Sequence, residues 1–385
     1  MTELPAPWAD ELALRQQAIR QSNRWRQRRP VDDKLQDFAS NDYLGLGKAP
    51  EISSALADVL ANSARRWGVG AGSAQLLGGY HQIHKELESA IAQWVRRPAA
   101  ALFSTGYMAN LGLISALAQR GDLVVQDKMN HASLIDAAQL SQARLVRFRH
   151  NDVEAANRQL ALAAKRRMLV VESLFSMDGD LAPLAALSEL AQTHDALLCV
   201  DEAHSLGVLG DDGAGACAAE QIDASAAPII VGTFGKSLGT FGAFVAGPQL
   251  VVDTLVNQAR SHIYTTALPP ALAAVTLDNL RRVQEDHWRR DHLQTLITKF
   301  RQRAGTLGLP LGDSQSPIQP IILGSSENAL RVSQTLFRQG FHVPAIRPPT
   351  VPANSARLRV SLNAAHQVSD LEPLLLAIAG AIDAA

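Results

Sequence analysis

Lys236 stands in Gly232-Thr-Phe-Gly-Lys-Ser-Leu-Gly239, directly after an apolar run. A lysine drawn out of water loses part of its preference for the charged form. An amine of lowered pKa suits Schiff-base chemistry. Taken alone, the same lysine also reads as an exposed loop residue. Asp201 and His204 follow another apolar run, in Leu198-Cys-Val-Asp-Glu-Ala-His204. A carboxylate at that place can pair with a pyridinium nitrogen and keep a ring protonated as an electron sink. His204, one helical turn on, can lie over the same ligand. An N-cap aspartate and a packed histidine are the plainer alternative.

Three further groups sit at comparable places. Ser104-Thr-Gly-Tyr107 reads as a strand-to-helix turn. Free N–H groups and the helix dipole make such a turn an anion site, and Gly106 allows close backbone approach. Thr233, three residues before Lys236, can add a hydroxyl to the same phosphate. His131, in Asn130-His-Ala-Ser133, can stack on an aromatic cofactor or act as an acid, although a lone histidine is by default structural. Glu172 and Ser176-Met-Asp-Gly179 fall at another strand end. Each signal is weak by itself. Together, a phosphate turn, a stacking histidine, an Asp/His pair and a glycine-flanked lysine match the needs of pyridoxal 5′-phosphate (PLP).

These residues need a frame that brings strand ends together. From about residue 74 the pattern alternates helix and strand. Ile83, Leu87, Ile91 and Trp94 mark an amphipathic helix. Short apolar runs at 99–103, 123–126, 168–172, 196–201, 229–233 and 243–246 predict strands, most ending in a polar residue. A further helix is predicted over 131–140. This predicts an α/β fold: a mostly parallel central sheet with helices on both faces. Ligands of such sheets bind at the carboxyl ends of the strands. After Pro269-Pro270 the texture changes to a long helical stretch to about 307, strands at 318–323, 341–346 and 357–362, and helices at 327–338 and the end. The last helix is expected to open on the capping-box spacing Ser369-Asp-Leu-Glu372. We expect a helical N-terminal segment over 1–45, with a helix at 8–28 packed over the body. A large cofactor-binding α/β domain over 46–269 and a smaller C-terminal α+β domain over 270–385 would follow.

Composition narrows the function. The chain has 385 residues, 47% hydrophobic and 19% charged, an ordinary globular balance. No apolar run reaches the length of a membrane span. A net charge of −1 gives no pull toward nucleic acid or anionic lipid. Cys199 and Cys217 cannot build a disulfide framework or a four-ligand zinc site, so no metal centre is expected. The N-terminus carries Glu3, Asp10 and Glu11 and no apolar h-region, so no signal peptide is expected and the location implied is the cytoplasm. Arg15, Arg20, Arg24, Arg26, Arg28 and Arg29 read as a solvated helix face or as a patch that meets an acidic substrate or carrier. Asp201-Glu-Ala-His204 spells a DEAH box and Gly235-Lys-Ser237 the end of a P-loop, which would suit an ATPase. The P-loop fails because Ile230 stands where its first glycine belongs, and the two motifs occur in the wrong order. Gly68-Val-Gly-Ala-Gly72 has no apolar strand before it and fails as a dinucleotide turn.

The chain resembles the α-oxoamine synthases, a PLP-dependent group of fold type I (the aspartate aminotransferase-like fold). The matches are Phe38-Ala-Ser-Asn-Asp-Tyr-Leu-Gly45, Asn130-His-Ala-Ser133, Phe175-Ser-Met-Asp-Gly-Asp180, Asp201-Glu-Ala-His204, Thr233-Phe-Gly-Lys236 and Arg347-Pro-Pro-Thr-Val-Pro352. Ala345-Ile-Arg-Pro-Pro-Thr-Val-Pro352 most resembles the branch that joins L-alanine to a pimeloyl thioester, on CoA or acyl carrier protein, in biotin synthesis. The resemblance implies Lys236 as the Schiff-base lysine, Asp201 at the ring nitrogen and His204 at the phenolic oxygen. It implies Gly106, Tyr107, Ser176 and Thr233 around the phosphate and His131 stacked on the ring. Asn41 and Arg347 would meet the amino-acid carboxylate or a later intermediate, and Arg26 and Thr350 the substrate. It also implies a homodimer with the site at the subunit interface. Two features depart from the group: Asp201-Glu-Ala-His-Ser205 where Asp-Asp-Ala-His-Gly is frequent, and Ala71-Gly-Ser-Ala-Gln75 in place of a more glycine-rich run. The first also resembles serine palmitoyltransferases, so sister condensations on glycine or serine stay open on sequence.

Overall fold

The computed structural model describes residues 4–28, 30, 32–48 and 50–384. Twelve strands are assigned among them: β1 Gln36–Asp37, β2 Ala99–Phe103, β3 Leu123–Asp127, β4 Arg144–Phe148, β5 Arg167–Glu172, β6 Ala196–Asp201, β7 Ile229–Thr233, β8 Ala243–Gly247, β9 Ile318–Gly324, β10 Phe341–His342, β11 Ala345–Ile346 and β12 Ala356–Ser361. Seven of these form one sheet in the order β2-β8-β7-β6-β5-β3-β4. Its pairs are parallel except that β8 runs antiparallel to both β2 and β7.

The strands are apolar on both faces, and successive residues feed two separate cores. Leu123, Val125, Leu169, Val171, Leu198 and Val200 join one apolar cluster. Val124, Met168, Val170 and Cys199 join the other. That alternation follows from the period of two along a strand. It explains why the runs are unbroken: each face is covered by helices. Each fully buried Leu or Val contributes about 1.5–3 kcal/mol, so the sheet centre is a rigid base. Polar residues collect where it ends, at Asp127, Glu172, Asp201 and Thr233.

A second, antiparallel sheet has the order β11-β12-β9. Helix Pro270–Glu285 packs on helices Pro50–Trp67 and Gln82–Trp94, whereas helix His287–Thr306 packs on Val368–Asp383. Among the described residues no helix is long and apolar enough to cross a membrane.

Several local expectations are corrected. The N-terminal helix spans Ala6–Gln21 and not 8–28, because Ser22 Oγ turns back onto the Ala18 carbonyl and Asn23 takes a left-handed φ of 53°. None of its residues is buried, so it does not pack over the body of this chain as expected. Arg29 lies outside the described residues. The segment 341–346 is two short strands: Phe341–His342 pairs with β1, Ala345–Ile346 with β12. Pro344 between them has no N–H to continue one ladder. The helical stretch after Pro270 breaks at Asp286. The capping box of the last helix is Gln367 with Asp370, two residues ahead of the expected one, and the Gln367 N–H donates to Asp370 Oδ2 at 2.7 Å.

Candidate active site

Four strand or helix ends meet around one cavity of about 200 Å³. Helix Gly106–Leu117 brings its N-terminus: Thr105 caps it by accepting the Met108 N–H at 3.2 Å, which leaves the N–H groups of Gly106 and Tyr107 without intrahelical partners. His131 caps helix Ala132–Leu140, its Nδ1 lying 2.8 Å from Ser133 Oγ. β6 delivers Asp201, and the turn after it His204. β7 delivers Thr233 and, three residues on, Lys236. Eight residues singled out by sequence therefore line one cavity: Gly106, Tyr107, His131, Glu172, Asp201, His204, Thr233 and Lys236. Asn110, Ser133 and Ala203 line it too, and sequence reasoning gave none of them a role. A larger cleft, about 620 Å³ between helix Gln82–Trp94, β2 and helix Gln249–Gln258, contains none of these groups.

The polar groups inside are held and mutually charged. Asp201 accepts from Asn110 Nδ2 at 2.8 Å and from the Ala203 N–H at 3.0 Å. The same Asn110 nitrogen reaches Ser133 Oγ at 3.0 Å, and Asn110 Oδ1 has no partner. Burial, aided by Arg359, brings the Lys236 amine down to about 8, against the attraction of Asp201 and Glu172. Burial and then the Asp201 charge push the Glu172 carboxyl up to about 8. Its oxygen accepts the backbone N–H of His131. Burial, followed by Lys236, Arg359 and His131, holds the His204 imidazole well below its ordinary pKa. Burial also lowers His131, which Lys236 reinforces and Asp201 opposes.

Asn41 does not line this cavity but belongs to a buried network beside it. Arg359, 4% exposed, donates from Nη1 to Asn41 Oδ1 at 3.0 Å, from Nη2 to Tyr43 Oη at 3.3 Å and from Nε to the Ser176 carbonyl at 2.6 Å. Tyr43 Oη lies 2.7 Å from His204 Nδ1, so the network reaches the cavity wall. Ser176 thus contributes its carbonyl to Arg359 and does not line the cavity. Arg26, Arg347 and Thr350 meet in a separate hollow of about 280 Å³. There Arg26 Nη2 donates to Thr350 Oγ1 at 3.1 Å, and Arg347 is tied to the carbonyls of Asn23 and Trp25. Tyr43 and Arg359 were also missed by sequence reasoning. A signal existed for the second: Arg357 and Arg359 stand two apart in an apolar strand and so share one face.

The departure at 202 and 205 has a structural account. Glu202 is fully buried and turned away from the cavity. It accepts from Ser173 Oγ at 2.9 Å, from Ser205 Oγ, and from the N–H groups of Ala216 and Cys217, each at 2.8 Å. Gly215, at φ +97°, leaves room for it; a Cβ there would come within 2.6 Å of Glu202 Oε2. Glu202 therefore ties the strand ends flanking Asp201 to the 214–217 segment. Replacing Glu202 with Ala strands all these donors, and we expect a loss of about 3 kcal/mol or more in urea unfolding. A loss below about 1 kcal/mol would contradict this account.

Four similarities bear on this site. The family described as aminotransferase class I and II matches residues 33–378. The 8-amino-7-oxononanoate synthase of Pseudomonas savastanoi pv. phaseolicola is 48% identical over 98% of this chain and 94% of its own. The chain belongs to this synthase family. A solved 8-amino-7-oxononanoate synthase from Francisella tularensis superposes with a TM-score of 0.80 at 31% identity, covering 92% of this chain and 99% of the other. A serine palmitoyltransferase structure with a PLP internal aldimine superposes with 0.89 at 30% identity, covering 100% and 99%. PLP is the cofactor of this fold family, and two differently named enzymes share the frame. The fold therefore does not choose the substrate.

Proposed function

We propose that this chain is a PLP-dependent acyltransferase that condenses L-alanine with a pimeloyl thioester, on CoA or acyl carrier protein, to give 8-amino-7-oxononanoate for biotin synthesis. The observation that carries the chemistry is the single cavity joining a buried amine at Lys236, a buried carboxylate at Asp201 and a helix N-terminus at Gly106. The choice of substrates rests on the high identity to named oxononanoate synthases along almost the whole chain. The donor set suits PLP: the free N–H groups of Gly106 and Tyr107 offer an anion site. Thr233 lies beside them, since a Cβ on Gly106 would come 3.8 Å from Thr233 Cβ.

In this reading Gly106, Tyr107 and Thr233 hold the phosphate, and His131 walls one face of the ring. Asp201, fixed by Asn110 and Ala203, faces the ring nitrogen, and His204 the phenolic oxygen. When bound, the cofactor supplies the electron sink that makes the α-proton of alanine acidic and stabilises the charge left as carbon dioxide departs. Lys236 Nζ anchors the cofactor, takes the α-proton and returns a proton to the same carbon. A pKa near 8 keeps a useful share of it neutral at physiological pH. In the net reaction alanine Cα bonds to the thioester carbonyl carbon, the C–S bond breaks with release of the thiol, and the alanine carboxyl leaves as carbon dioxide. Arg359 and Asn41 seat that carboxylate before it leaves: Arg359 is buried next to the cavity and its charge acts on both Lys236 and His204. Arg26, Arg347 and Thr350 receive the acyl substrate in the outer hollow.

We also read the chain as a homodimer in the cytoplasm. Tyr107, which lines the cavity, is exposed, as are the large apolar residues Val69, Leu77 and Tyr264, and a second copy of the chain could cover them. The two cysteines are free and buried, which suits a reducing compartment. The test is the mass of the product from carboxyl-labelled L-alanine and a pimeloyl thioester. We expect 8-amino-7-oxononanoate without the label, and the label in carbon dioxide. Pyruvate formation without carbon dioxide would move the chain to amino transfer.

A further inference from the structure

A second histidine site lies outside the cavity and has no part in the chemistry above. His150 follows β4 in a turn, and each of its ring nitrogens meets a carboxylate. Nδ1 is 3.0 Å from Asp127 Oδ1, at the end of β3, and Nε2 is 2.8 Å from Asp180 Oδ2. Two acceptors on opposite sides of one ring are both satisfied only when both nitrogens carry hydrogen. Burial works against that charge, but the two carboxylates outweigh it and push the imidazole up to about 10. Asn151, at a left-handed φ of 54°, repeats the bridge. Its N–H donates to Asp127 Oδ2 at 2.9 Å, and its Nδ2 to Asp180 Oδ2 at 2.8 Å and to the Leu181 carbonyl at 3.0 Å. The His150 ring also stands edge-on to Phe175 at 4.4 Å.

What this clamp grips is the turn from Leu174 to Leu181. Phe175 and Asp180 close it, the Phe175 N–H donating to the Asp180 carbonyl at 3.0 Å. Its tip abuts the small sheet: Gly179, at φ +71°, is so close that a Cβ would come within 2.4 Å of the Ile318 carbonyl and of Ser314 Oγ. Between those points the turn presents the Ser176 carbonyl to Arg359 Nε, and Asp178 pairs with Arg357.

We propose that His150 is a positioning residue: by bridging Asp127 to Asp180 it sets the turn that fixes Arg359, and through Arg359 the seat of the amino-acid carboxylate. This rests on the reading of Arg359 given above. His150 touches neither substrate nor cofactor. A displacement of the turn passes to the guanidinium, and a guanidinium out of line weakens its grip on the bound carboxylate.

The experiment compares PLP-loaded wild-type protein with His150→Gln and Arg359→Gln. For His150→Gln we expect the KM for L-alanine to rise about tenfold, with kcat within about twofold and the KM for the pimeloyl thioester unchanged. The dissociation constant of L-alanine, followed by the visible spectrum, should rise in step. In the wild type, nitrogen-resolved NMR should show both His150 nitrogens protonated at pH 8. An unchanged alanine KM with only a lower Tm, or a neutral ring at pH 8, overturns the proposal. Should His150→Gln fail to fold, Asp180→Asn breaks the same bridge and is read by the same criteria. If Arg359→Gln weakens alanine binding while the His150 variant does not, the clamp fails and the Arg359 reading stands. If Arg359→Gln leaves alanine binding intact, the Arg359 reading itself is wrong.

Discussion

Replacing Lys236 with Ala is expected to reduce turnover by about 10³-fold or more, because the residue anchors the cofactor and moves the proton at alanine Cα. No neighbour can substitute. Glu172, pushed up to about 8, is tied to the His131 backbone, and His204 to Tyr43. Asp201 and Glu172 both attract the buried amine, so its removal also takes away the cation they share. The measurement is single-turnover product formation with saturating PLP, alongside Tm and cofactor retention. A folded, cofactor-bearing variant within tenfold of the wild-type rate would contradict the assignment.

Asp201→Asn is the second large effect, and it tests charge more than shape. The amide is nearly isosteric, yet it cannot hold a proton on a ring nitrogen as a buried carboxylate does. We expect kcat to fall about 10²–10³-fold, the range for loss of one preorganised electrostatic group in a dry site. The sign of the accompanying pH change is fixed. Asp201 raises both Lys236 and Glu172, so without it both pKa values move down from about 8. The acid limb of any residual rate should shift to lower pH. A wild-type rate, or an acid limb shifted upward, would show that Asp201 does not face the cofactor nitrogen.

The sheet and the ends of its strands were readable in sequence because burial on both faces forces unbroken apolar runs, and a polar residue at the end of such a run is visible. Asp201, Thr233 and Lys236 were found that way. β4 was not, since its Arg144 and Arg147 are exposed on an edge strand and break the apolar signal. Helix Pro50–Trp67 was not expected, although Pro50 at its start and Gly68 just past its end are ordinary boundary signals. The cavity residues Asn110 and Ser133 lie inside helices where an amide or hydroxyl is unremarkable until its partner is known. Tyr43 sat inside a quoted motif, but its bond to His204 crosses 161 positions, which no local pattern carries. Arg347 and Arg359 show the limit of motif reasoning. The proline-flanked arginine stands in a motif and is expected at the amino-acid carboxylate or a later intermediate, while the plain strand arginine carries no motif yet is the one buried against Asn41 and Tyr43. The capping box at Gln367 and the break at Pro344 are boundary effects, where several spacings fit equally well.

The frame is shared with a serine palmitoyltransferase, so the central claim stands on the choice of amino acid and acyl group. The most direct measurement is kcat/KM for L-alanine, glycine and L-serine, each with pimeloyl and palmitoyl thioesters, on the same PLP-loaded preparation. The account predicts that L-alanine with the pimeloyl thioester exceeds every other pair by at least about 10²-fold, the discrimination that small pockets reach for one added or missing group. A preference for L-serine with the palmitoyl thioester would keep the Lys236 and Asp201 chemistry and contradict the function proposed for this chain.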